Sequence, residues 1–117
     1  MRKLLTLVLL SSALAAEEIP AVRVQKVDHR EGFTVKTDHG HTVSQALLHL
    51  KGSTKPAFGL VVEGDGVRYF TLDRPDQNRL IGQGEDVKYV LDQKAGTLTV
   101  IRGSSRVVEK VTTTLDS

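Results

Sequence analysis

The feature that most constrains this chain is a two-residue alternation of apolar and polar side chains, broken at short intervals by turn-forming residues. Alternation of period two belongs to strands, whose successive side chains point to opposite faces. Val22 and Val24 open a strand that ends near Asp28, and Arg30-Glu31-Gly32 turns it into Phe33–Thr37. Asp38-His39-Gly40 is the next turn, because glycine supplies the positive φ a tight hairpin requires. Phe58–Glu63 and Val67–Leu72 form a hairpin around Gly64-Asp65-Gly66. Val87–Leu91, Thr97–Arg102 and Arg106–Thr113 follow as three further strands.

One stretch breaks the alternation. Val43, Ala46, Leu47 and Leu50 fall at i, i+3, i+4 and i+7, with Ser44 at an N-cap position and Gly52 where a helix ends. This spacing predicts a short helix over Gln45 to Lys51, after the third strand. The expected fold is mainly β: a small antiparallel barrel of seven or eight short strands with that one helix. Closure is favoured because it removes free sheet edges.

Ahead of the strands, Met1-Arg2-Lys3 precedes an apolar run from Leu4 to Leu10 and a small-residue segment, Ala13-Leu14-Ala15-Ala16. That order is an export signal with an A-x-A cleavage site. A membrane-spanning helix needs about 20 apolar residues, and here Glu17-Glu18 intervenes first. The expectation is a signal peptide over residues 1–16, a single domain over 17–117, a periplasmic or secreted location, and no membrane span after cleavage.

Composition then narrows the partners. Sixteen Lys and Arg stand against fourteen Asp and Glu, and removing Arg2 and Lys3 leaves fourteen of each. A neutral domain has no long-range attraction for phosphate backbones or anionic lipid, so nucleic acid is not an expected partner. The chain has no cysteine, which excludes disulfides, thiol catalysis and cysteine metal sites. A domain of roughly 100 residues can bury a core by packing alone.

The second half adds a resemblance. Phe58-Gly59-Leu60-Val61-Val62, Val67–Asp73, Leu80-Ile81-Gly82, Val87-Lys88-Tyr89-Val90 and Gly96–Val100 together look like small exported bacterial OB-fold proteins. The resemblance implies an OB-like barrel, and OB folds bind oligonucleotides or oligosaccharides on one barrel face. One exported OB group binds copper through methionine and histidine beside a tryptophan. This chain has Met1 as its only methionine and no tryptophan, so none of that group's ligands carries over.

Two sets of residues are candidates for chemistry. His39 and His41 flank Gly40 at a hairpin tip, with Asp38 before them and His49 further on. Residues two apart on a strand share a face. Two imidazoles there, with Asp38 or His49 as a third donor, would suit copper or zinc. The alternative is that both are exposed turn residues. In the second set, Tyr69 and Tyr89 could form a platform for a sugar or base, with Arg68 and Lys88 beside it. The alternative is a pair of half-buried tyrosines and a solvated strand face. Phe33 and Phe58 read as core.

The remaining polar groups read as turns. Asp73 and Asp76 lie in a proline-containing loop, Glu85-Asp86 precedes a strand, and His29 follows Asp28 near a turn. None sits in a pattern that raises a catalytic pKa, and no serine lies in G-x-S-x-G. The sequence therefore points to a non-enzymatic exported binding or interaction module, without a cofactor. Its partner would be an envelope protein or an extended ligand. A copper- or zinc-binding protein is the alternative.

Overall fold

In the computed structural model, which describes residues 17–116, the chain is mainly strand. The strands are β1 (Glu18–Ile19), β2 (Val24–Thr37), β3 (Thr42–Leu50), β4 (Ala57–Gly64), β5 (Gly66–Thr71), β6 (Arg79–Gln83), β7 (Lys88–Asp92), β8 (Thr97–Arg102) and β9 (Ser105–Asp116), with a 3-10 turn at Ala21–Arg23. The export signal expected over residues 1–16 lies outside the described residues.

All pairings are antiparallel, in the order β1-β5-β4-β3-β2-β9-β8-β7-β6. From β2 to β5 and from β6 to β9 each strand neighbours its successor, and β2 pairs with β9. The sheet curls until β5 and β6 approach, where a bridge joins Asp73 to Ile81 through two backbone hydrogen bonds of 3.0 and 2.8 Å. The small antiparallel barrel expected from the sequence is thus the observed architecture, nearly closed.

The barrel interior holds Val35, Val43, Leu60, Phe70, Leu80, Tyr89, Leu91 and Leu98, all buried. These are the inward positions of alternation on β2, β3, β4, β5, β6, β7 and β8. Each fully buried apolar side chain of this size contributes roughly 1.5–3 kcal/mol. A second cluster lies on the other face of β3 and β4, where Ile19, Ala46, Leu48 and Val61 pack with Tyr69, Val24 and Val27. The N-terminal segment from β1 to the start of β2 supplies its cover.

That second cluster explains the one element the sequence misassigned. Residues 45–50 are not helix but the body of β3. β3 is buried on both faces, Val43 toward the barrel and Ala46 and Leu48 toward the outer cluster. A strand covered on both sides reads as an apolar run, which periodicity cannot separate from a helix. Ser44 caps no helix; its hydroxyl meets that of Thr34 at 3.0 Å. Gly52 turns the chain with φ of 79°, into the β3–β4 connection.

The expected turn at Arg30-Glu31-Gly32 lies inside β2, as a register break between Asp28 and Phe33. Asp28 holds it by accepting from the Arg30 backbone N–H at 3.0 Å and from its guanidinium at 2.8 Å. Gly32 passes so close to β3 that a Cβ there would lie 1.8 Å from the Gln45 carbonyl oxygen.

Candidate functional site

Alternation fixes which side chains ring the two ends of the barrel. Moving two residues from the interior layer along one direction gives Phe33 from Val35, Gln45 from Val43, Phe58 from Leu60, Leu72 from Phe70 and Gln93 from Leu91. These five, with Arg74, line an open hollow of about 490 Å³. Phe33 and Leu72 pack onto the interior core, whereas Phe58 is 52% exposed. The floor is therefore apolar and the rim carries two carboxamides and one guanidinium. Arg74 donates to Gln45 Oε1 at 3.2 Å, to the Gln77 carbonyl at 2.7 Å and to Gln93 Oε1 at 3.4 Å.

The opposite end is plugged by polar side chains. Glu109, 3% exposed, accepts from the Thr37 hydroxyl at 2.6 Å and contacts His41 Nδ1 at 2.8 Å. A carboxylate only accepts, so His41 carries its proton on Nδ1. The His41 ring meets Tyr89 edge-on at 6.0 Å, and Tyr89 stacks likewise on Phe70 at 5.6 Å. Arg102 donates to the Tyr89 hydroxyl at 3.3 Å. Outside this layer, His39, His41, Arg102 and Ser105 border a hollow of about 270 Å³.

His39 and His41 border the same hollow but engage different partners, and His49 lies apart. His39 and His41 lie in and after a turn, with φ of 89° at Gly40, so strand alternation does not align them. His39 turns outward to Asp38 at 2.8 Å, while His41 turns inward to Glu109. The Asp38 hydrogen bond raises the His39 pKa; that bond to His39, and one from the Lys110 backbone N–H, lower the Asp38 pKa. His49 pairs with Lys26 near the far end of β3. As strand rather than helix, the eight residues from His41 span about 27 Å. Among the described residues, no three His, Asp or Glu side chains are grouped to hold a metal ion.

The tyrosine platform does not form either. Tyr89 is a core residue, 2% exposed, and Tyr69 packs on the outer cluster, so the two rings lie on opposite faces of the barrel wall. Lys88 pairs with Gln83 and Ile101 within the sheet. Arg68 is a fastener at the seam. It donates to Glu18 at 2.6 and 2.9 Å and to Asp86 at 2.7 Å, and lies over the Phe70 ring at 5.8 Å. Its pKa is raised, chiefly by Glu18 and then by Asp86. The same contact holds the Asp86 carboxyl below its usual range.

Of the carboxylates weighed for catalysis, Asp76 accepts from Arg79 at 2.9 Å. No hydrogen bond or ion pair joins His29 to Asp73 or Asp76 among the described residues. No helix in the described residues is long and apolar enough to cross a membrane. No family model, curated protein or solved structure matches the chain.

Proposed function

We propose that this chain is an exported, non-enzymatic binding module that receives its ligand at the open mouth of the barrel. The observation that carries the reading is the contrast between the two ends. One is filled by the Thr37–Glu109–His41 network; the other exposes an apolar floor beneath a polar rim. Ligand sites are typically concave and apolar, hold a few placed polar groups, and favour barrel mouths. A non-enzymatic role is supported by the pairing of Asp28, Asp76 and Asp86 with arginines and of Glu109 with His41.

The test is a backbone-amide NMR titration of the mature domain with small apolar fragments. The expected shifts fall on Phe33, Gln45, Phe58, Leu72 and Gln93, and Phe58→Ser abolishes them. Shifts confined to other faces, or turnover of a panel of envelope substrates, would overturn the reading. N-terminal sequencing of the protein from the envelope fraction tests export: the expected first residue is Ala16 or Glu17.

A further inference from the structure

Arg74 differs from the arginines that carboxylates fasten. Arg30 pairs with Asp28, Arg68 with Glu18 and Asp86, and Arg79 with Asp76. Arg74 meets only neutral acceptors: two glutamine side chains and one backbone carbonyl. Among the described residues it forms no ion pair, and the nearby Asp76 is already bound to Arg79. A guanidinium has five N–H donors. Three are engaged by these contacts, which fix the plane of the group at the rim and leave two donors and the full charge for an incoming acceptor.

We propose that the mouth binds a small amphipathic monocarboxylate, its chain against Phe33, Phe58 and Leu72 and its head on Arg74. The inference rests on the reading of the mouth as the binding site and names the ligand class. Three features select it. The apolar floor requires a hydrocarbon part. The one cation lining the mouth calls for one negative charge, and a guanidinium matches a carboxylate with charge-assisted hydrogen bonds. Equal numbers of acidic and basic residues beyond the leader give no field to gather a polyanion. Restraint of Arg74 by its three neutral partners lowers the ordering cost of binding.

The experiment compares octanoate, octan-1-ol and octylamine at pH 7.5 by amide titration of the full mature domain. The chains are equal and the heads are anionic, neutral and cationic. Octanoate is expected to bind about fivefold tighter than octanol, the size of an ion pair open to solvent, and octylammonium more weakly than either. Arg74→Gln should erase the difference between octanoate and octanol, and Arg74→Lys should restore part of it. Phe58→Ser should weaken all three. Equal binding of octanoate and octanol at the mouth would overturn the carboxylate class and leave the mouth as a site. No shift at the mouth with any of the three would overturn both.

Discussion

Glu109→Ala removes the acceptor that two inward-facing donors share. Thr37, 7% exposed, and His41 lose the carboxylate that they meet at 2.6 and 2.8 Å. Each buried donor left without a partner costs about 1–3 kcal/mol, and the one lost methylene adds about 0.8 kcal/mol. The adjacent hollow of about 270 Å³ admits water that re-solvates part of the site, so the expected loss is about 3 kcal/mol, the lower end of that range. A domain of this size has about 5–15 kcal/mol in total. At a urea m-value of about 1.5 kcal/mol/M, the midpoint falls by about 2 M. Far-UV circular dichroism follows the transition. Glu109→Gln keeps an oxygen acceptor in place and should cost about 1 kcal/mol. A double-mutant cycle with His41→Ala isolates the pair, with an expected coupling of about 1.5 kcal/mol. If Glu109→Ala lost under about 1 kcal/mol, the plug would be a wet rim, and the contrast between the two ends would collapse.

Two further outcomes follow from the same geometry. Gly32→Ala should cost at least about 3 kcal/mol by urea unfolding, beyond ordinary overpacking, because the new Cβ would lie 1.8 Å from a backbone oxygen. Gly40→Ala, at φ of 89° with open space around it, should cost only about 1–2 kcal/mol; equal losses at the two positions would mean the β2 register break is wrong. Asp86 is held below its usual range by Arg68. A carboxyl whose folded pKa is depressed stabilises the fold above the unfolded value, about 3.9, and that contribution is lost as pH falls through the folded pKa. The Asp86 carboxyl should therefore titrate by NMR below the usual range, and return toward it in Arg68→Gln. An unchanged midpoint in that variant would show that the seam is not fastened there.

The strand pattern was legible because it is local. The hairpin around Gly64-Asp65-Gly66 falls within a residue of β4 and β5, and Gly40, Gly66, Gly96 and Gly103 supply positive φ at turns. What failed depended on partners distant in sequence. Nothing near Ala46 and Leu48 announces that Ile19 and the start of β2 will cover their face, so β3 imitated a helix. Arg68 reads as a surface cation until Glu18, fifty residues earlier, is placed beside it. Tyr69 and Tyr89 each show an aromatic ring on a strand, but alternation within one strand does not say which wall face the other strand's odd positions take.

The mouth was missed for a related reason. Phe33 and Phe58 both read as core; Phe33 packs onto it, whereas Phe58 is 52% exposed at the open end. Whether an inward residue lies beneath another layer or at an open end depends on the stagger between strands, which periodicity does not encode. That stagger also limits what the site can hold. A small barrel of about this strand number either fills its interior with side chains or keeps room for one small ligand. Here Phe70, Leu60, Leu80, Leu91 and Leu98 fill the middle completely. On the proposed reading, a ligand would sit at the mouth rather than in the barrel interior.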